Sequence, residues 1–151
     1  MSAEHTFSIA ATWDPAAKEG RLANGDGGFM TAHVGVASLG GKTGAPNPEE
    51  LLLSGVAACF IQTWAIFLEK LKVPVAAPRL DATAEMDKDP AGGFLVTKMN
   101  LAPHVPAALW ESRRADVDKT LALAEKYCIV SKAVKGSLAL TITPKPVSPA
   151  G

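Results

Sequence analysis

Two residues of this chain carry side chains suited to nucleophilic and redox chemistry, Cys59 and Cys128, and they are its only cysteines. A thiolate, not a thiol, is the reactive form, so such chemistry needs surroundings that lower the thiol pKa. The two stand 69 positions apart and neither forms a Cys-x-x-Cys pair. The three histidines, His5, His33 and His104, lie far from both along the chain, so spacing supports no zinc site. Spacing alone leaves two readings open: a functional pair, or two small buried hydrophobes, since free cysteine is among the most buried residue types.

A second stretch invites a chemical reading. The loop GGKTGAPN precedes a helical pattern, as phosphate-binding loops do, but it lacks the P-loop spacing. Glu49 and Glu50 would also repel an anion at that helix N-terminus, so the loop reads as a connector. Formal net charge is zero, which gives no electrostatic reason to expect nucleic acid or an acidic membrane surface as a partner. The start, MSAEHTFSIA, has no basic segment followed by an apolar one, so no signal peptide is expected. Two cysteines in such a chain read as cytosolic thiols, and the expected location is the cytoplasm.

The elements that must position these residues follow from periodicity. The run from Asn47 to Lys72, NPEELLLSGVAACFIQTWAIFLEKLK, begins with an N-cap asparagine, a proline at the first helical position and Glu50 at the capping-box position. Lys70 and Lys72 suit the negative end of the dipole, and Pro74 closes the helix. Counted from Pro48 to Lys72 it is roughly 37 Å long and apolar nearly all round from Leu51 to Leu68, so it belongs inside something. Its length also meets the lower limit for a membrane span. Gln62 and Thr63 would then sit in lipid, and the flanking chain alternates like soluble β-structure, so a buried central helix is expected and no membrane.

Around that helix, His5 to Trp13 alternates as a half-buried strand with Phe7, Ile9, Ala11 and Trp13 on one face. A short strand at Arg21 to Ala23 and another at Phe29 to Val36 complete an antiparallel meander. After the helix, Arg79 to Asp87 and Phe94 to Leu101 form a hairpin, and Pro103 and Pro106 interrupt the chain. A second helix runs from Ala107 to Tyr127, with Leu109, Val117, Leu121, Ala124 and then Cys128 on its inward stripe. Leu138 to Ile142 makes a last strand, and the Pro-rich tail from Pro144 reads as frayed. Strand runs with segregated helices argue an α+β fold, and 151 residues make one domain, residues 1–151. A helix so long and apolar exceeds what these strands can cover, so a second copy of the chain is expected to cover it in a homodimer.

Three segments carry a family likeness. NPEELLLSGVAACF resembles the Asn-Pro-Glu-x-Leu…Ala-Ala-Cys-Phe segment of the OsmC/Ohr hydroperoxide-resistance proteins. AEKYCIVSKA resembles their second-cysteine segment, and EGRLANGDGGF the Gly-Arg turn near their N-terminus. The resemblance spans about Phe7 to Thr143 in matching element order. It implies an OsmC-like fold, with antiparallel sheets around a long central helix in an intertwined homodimer.

The resemblance also implies a cofactor-free thiol peroxidase. By it, Cys59 is the peroxidatic thiol, Cys128 the resolving thiol, and Arg21 and Glu49 the pair that activates Cys59. An arginine carries a permanent charge and a fork able to hold thiolate and peroxide oxygen together, and a glutamate can orient that fork. Read without the family, Arg21 is a surface strand residue and Glu49 decorates a helix dipole. The implied substrates are organic hydroperoxides ahead of hydrogen peroxide, favoured by apolar walls from Phe60, Trp64, Phe67 and Met30. The implied reductant is a dithiol such as a lipoylated protein. A non-catalytic dimeric module of the same fold, binding a hydrophobic small molecule or serving a stress-linked structural role, is the alternative. One departure stands out: the family commonly has proline after the second cysteine, where this chain has Ile129, which leaves the turn at Cys128 less rigid.

Overall fold

The computed structural model describes residues 3–149. The chain falls into two compact units, Met1–Leu52 and Leu53–Gly151. In the first, β1 (Ile9–Asp14), β2 (Glu19–Asn24) and β3 (Met30–Val34) form the expected antiparallel meander. Its turns are made by short polar side chains folding back on the main chain. Asp14 Oδ1 accepts the N–H groups of Ala16 and Ala17 at 2.9 and 3.1 Å, and Asn24 Oδ1 accepts that of Phe29 at 2.8 Å. Gly20 is required in β2, because a Cβ there would collide with the Thr12 carbonyl oxygen and the His33 ring.

The first strand differs from expectation. It starts at Ile9 rather than His5, and all six of its residues are exposed in the single chain. Phe7 is 92% exposed, and Trp13 and Met30 also face solvent. The alternation in the sequence is real, but among the described residues that face stays exposed. Lys42 of the Gly-rich loop is held by Glu19 Oε2 at 2.7 Å and the Ala17 carbonyl at 2.9 Å, which fits the connector reading.

Helix α1 (Pro48–Lys70) opens with the capping box. Glu50 N–H donates to Asn47 Oδ1 at 2.8 Å, and Asn47 N–H to Glu50 Oε2 at 3.1 Å. It ends two residues before the expected Lys72, which takes a left-handed φ of 54°. There Val73 N–H donates to the Leu68 carbonyl at 2.9 Å, and Arg113 Nη1 to the Lys72 carbonyl at 2.8 Å. Helix α1 is long and apolar enough to cross a membrane by length and composition. In the fold, its stripe Val56, Phe60, Trp64 and Leu68, spaced four apart, is buried in the core of the second unit. The helix is therefore buried along one stripe of the single chain rather than all round, and Leu52 and Ile66 remain exposed.

The second unit holds a sheet in which β4 (Leu80–Lys88) pairs antiparallel with β5 (Phe94–Pro106). The other neighbours of β5, β6 (Ala139–Ile142) and β7 (Lys145–Val147), pair with it in parallel, so the antiparallel sheets expected hold for the meander and the β4–β5 pair but not for these two strands. Two further expectations fail here for one reason. Pro103 and Pro106 do not interrupt β5, and the tail from Pro144 is not frayed through its described part, since Lys145–Val147 is the strand β7. The two remaining residues, 150 and 151, lie outside the described residues. His104 N–H donates to the Arg79 carbonyl on the β4 side at 2.8 Å. The missing N–H of Pro103 therefore points to the opposite side, where β6 has ended and β7 has not begun, and no ladder bond is lost.

The expected helix over Ala107 to Tyr127 is two, α2 (Ala107–Ser112) and α3 (Arg114–Tyr127), broken at Arg113 with φ −136° and ψ 37°. Arg113 Nε binds Asp116 at 2.9 Å while its Nη1 caps α1. A further helix not anticipated, α4 (Ile129–Val134), follows at once. The core gathers the α1 stripe, Met99, Leu101 and Val105 of β5, Val117, Leu121 and Ala124 of α3, and Cys128. One buried hydrogen bond ties α1 to α3: Trp64 Nε1 donates to Thr120 Oγ1 at 2.9 Å, and Thr120 Oγ1 donates to the Val117 carbonyl at 2.7 Å.

Candidate active site

Cys59 lies in the middle of α1, one residue before the buried Phe60, and is partly buried. Cys128 is fully buried between α3 and α4, with φ −66° and ψ 108°, an extended residue that caps α4 rather than the last residue of α3. The two helices bring the thiols together. Helix α4 packs on α1 one turn before Cys59: a Cβ built on Gly55 would lie 3.9 Å from Val130 Cγ1, in ordinary van der Waals contact. Both cysteines are free thiols.

Their surroundings push the two thiols apart in acidity. Burial, the largest influence, raises Cys59. It is outweighed by the main-chain N–H of Val130, the Cys128 thiol, the main-chain N–H of Ile129 and the Thr63 hydroxyl, which leave Cys59 below the ordinary thiol value. The Thr63 hydroxyl has one proton and donates it to the Cys59 carbonyl at 2.8 Å. The lowering therefore comes chiefly from the main-chain N–H groups and the Cys128 thiol. Cys128 moves the other way. Burial raises it, Ser131 lowers it through its hydroxyl and N–H, and the neighbouring Cys59 sulfur raises it again, so the balance is upward. The two thiols are thus biased in opposite directions, Cys59 toward its anion and Cys128 toward its proton.

The turn that carries Cys128, expected to be loosened by Ile129, is held on both sides. Cys128 N–H donates to the Ala124 carbonyl at 2.9 Å, and Lys132 N–H to the Cys128 carbonyl at 3.2 Å. Ser131, fully buried, adds a hydroxyl bond to the same carbonyl at 3.2 Å. Neither Ser131 nor the N–H groups of Ile129 and Val130 were anticipated. Their signal was present in IVSKAV, where Val130 and Val134 stand one helical turn apart directly after the cysteine.

The other two candidates belong to the first unit. Arg21 is exposed on β2 between Thr12 and Ala32, and its main-chain N–H donates to Thr12 Oγ1 at 3.3 Å. Glu49, in the first turn of α1, has its Oε2 buried without a hydrogen-bond donor. Among the described residues no ion pair joins Arg21 to Glu49. Also among the described residues, no group of three or more His, Cys, Asp or Glu side chains is placed to hold a metal ion.

The family model described as OsmC-like protein matches residues 40–143. The chain is 30% identical over 129 residues to the organic hydroperoxide resistance protein of Xanthomonas axonopodis pv. citri, covering 83% of this chain and 86% of that one. It is 28% identical over 123 residues to organic hydroperoxide resistance protein-like 2 of Staphylococcus epidermidis, covering 80% and 83%. The crystal structure of an organic hydroperoxide resistance protein from Legionella pneumophila superimposes with a TM-score of 0.79 at 23% identity, over 97% of this chain and all of that one. With an α+β fold shared across its length and a family model matched through both cysteines, the chain belongs to the OsmC-like protein family.

Proposed function

We propose that the protein is a cysteine-based peroxidase that reduces organic hydroperoxides, and hydrogen peroxide less well, in the hydroperoxide-resistance role its relatives' names describe. The observation that carries this reading is the Cys59–Cys128 pair, with the accessible thiol biased toward its anion and the buried one toward its proton. The Cys59 thiolate attacks the outer oxygen of ROOH, the O–O bond breaks, and the alkoxide leaves and takes a proton to become the alcohol. Cys59 is left as a sulfenic acid. Cys128 then attacks that sulfur, the S–O bond breaks, water leaves and an intrachain disulfide forms. A dithiol reductant, such as a lipoylated protein, returns two electrons and two protons and becomes a disulfide itself. No further cofactor is required.

In this reading residues 1–151 act as one OsmC-like domain in a cytoplasmic homodimer, and Glu49 and Arg21 of one subunit serve Cys59 of its partner. The reasoning is geometric. Glu49 and Cys59 are ten residues apart on one helix, about 15 Å along its axis, whereas each contact of a bridging arginine must close to about 3 Å. An isologous interface can bring the start of one helix to the middle of the other. The buried, donor-less Glu49 Oε2 and an Arg21 that joins no ion pair among the described residues support a partner arriving from outside the chain.

The test follows consumption of an organic hydroperoxide and of hydrogen peroxide with a dithiol present. Cys59→Ser should abolish turnover, while Cys128→Ser should reduce one equivalent of peroxide and leave a trappable sulfenic acid. Turnover equal to wild type in Cys59→Ser would refute the peroxidase reading and favour the non-catalytic binding module.

A further inference from the structure

The last turns of α1 and the end of α3 meet in an exposed patch beside the two thiols. Along α1, Cys59, Thr63, Phe67 and Lys70 follow one another at helical spacing, so they share a face. Phe67 lies about 12 Å along the axis from Cys59, and its ring packs on that of Tyr127 with centroids 5.6 Å apart. Tyr127 directly precedes the buried Cys128 and is 50% exposed, and Ile129, directly after it, is 74% exposed. Each ring carries an ammonium group. Lys70 Nζ stands 5.7 Å from the Phe67 centroid, and Lys126 Nζ 5.3 Å from that of Tyr127. Neither lysine joins an ion pair among the described residues. The neighbouring acids do not cancel them. Glu125 is taken by Lys135 at 3.1 Å, and Glu69 turns to another side of α1, where it lines a separate groove with Leu68 and Val73.

An aromatic floor with two uncompensated cations therefore adjoins the pair of sulfurs. We propose that this patch docks the reductant, and that the reductant is a protein whose dithiol is set among acidic side chains. The inference rests on the peroxidase reading, in which a dithiol restores the thiols of Cys59 and Cys128. Charge selects the partner: unpaired ammonium groups draw in an anionic surface and repel a cationic one, whereas an uncharged hydroperoxide gains nothing from them. Exposure selects the sulfur, since Cys59 is partly accessible and Cys128 is buried. One thiolate of the reductant attacks the Cys59 sulfur, the bond to Cys128 breaks, and Cys128 leaves as a thiolate that takes a proton. The second thiol of the reductant then attacks its own sulfur in the mixed disulfide and releases Cys59, so the reductant departs as a disulfide.

The test starts from protein whose Cys59–Cys128 disulfide has been closed with diamide rather than peroxide. Its reduction is followed by acid quenching and mass spectrometry with three reductants: a Cys-Gly-Pro-Cys peptide flanked by glutamates, the same peptide flanked by lysines, and neutral dithiothreitol. The wild-type chain is compared with Lys70→Glu/Lys126→Glu. At low salt the rate ratio of the acidic to the basic peptide should fall about tenfold or more in the variant. That difference should shrink to about twofold in about 0.5 M salt, and the dithiothreitol rate should be the same in both proteins. A ratio that the charge reversal leaves unmoved overturns the inference. A dithiothreitol rate that falls with the peptide rates overturns it too, because the lysines would then act on the disulfide itself. So does a change of oligomeric state in the variant on sedimentation, which would assign the patch to a second copy of the chain. Because no step uses peroxide, a ratio that moves in a protein without peroxide turnover keeps the docking surface and removes the peroxidase reading.

Discussion

Replacing Thr120 by valine removes the hydroxyl that joins α1 to α3. Thr120 is fully buried, accepts the Trp64 N–H at 2.9 Å and donates to the Val117 carbonyl at 2.7 Å. That carbonyl lies within α3 and keeps its intrahelical donor, so the one group stranded is the indole N–H of the fully buried Trp64. An unsatisfied buried donor costs ~1–3 kcal/mol. The added methyl offsets part of this, so a net loss of about 2 kcal/mol is expected. At this chain length that is roughly 4–8 °C in Tm, measured at fixed protein concentration because the Tm of the proposed dimer would depend on it. Trp64→Phe alone costs more, through lost volume as well as the lost bond. The double variant should be more stable than the sum of the two losses by about 1 kcal/mol or more, since the second change strands nothing new. Trp64 is five residues beyond Cys59, and Thr120 eight before Cys128, so the same bond sets how the two thiols meet. Thr120→Val should therefore also slow disulfide formation after stoichiometric peroxide. A coupling below about 0.3 kcal/mol would mean the sites are independent and would refute the idea that this bond locks the helices.

Other expectations follow from the same arrangement. Stoichiometric peroxide should close a Cys59–Cys128 disulfide within one chain, lowering the monomer mass by two hydrogens, whereas cross-linked dimers as the main product on non-reducing electrophoresis would contradict the pairing. Mixed dimers of Cys59→Ser and Arg21→Ala subunits should regain up to one working site each, and verified heterodimers without activity would place Arg21 in service of its own chain. Ser131→Ala removes a group that lowers Cys128, so the Cys128 alkylation midpoint should move further up. Stability should respond to pH through Cys59 with a definite sign. Its folded pKa lies below the ordinary value, so between the two the unfolded chain binds the extra proton and stability rises with pH. The gain is complete above the unfolded value and lost as pH falls through the folded one. Cys59→Ser should remove that rise in a denaturation series.

Much of this protein was legible in its sequence because local chemistry acted alone. The Asn47–Glu50 capping box, the start of α1 at Pro48, the turns at Asp14 and Asn24 and the three-strand meander all depend on side chains within a few residues of one another. The two cysteines were legible as candidates, and the segments around them as a family likeness. Long-range pairing decided the rest. Proline at 103 read as an interruption because sequence does not say which side of a strand its missing N–H will face. The tail read as frayed because β7 exists only by pairing with a strand some forty residues away. Apolar residues all round α1, and alternation in β1, marked surfaces that want cover without saying what covers them, and the single chain buries one stripe of α1 and none of β1. The acidity of Cys59 was beyond sequence for the same reason. The influences that lower it are backbone N–H groups near residue 130, common to nearly every residue type, and the Cys128 thiol, and only the packing of α4 on α1 brings that segment near.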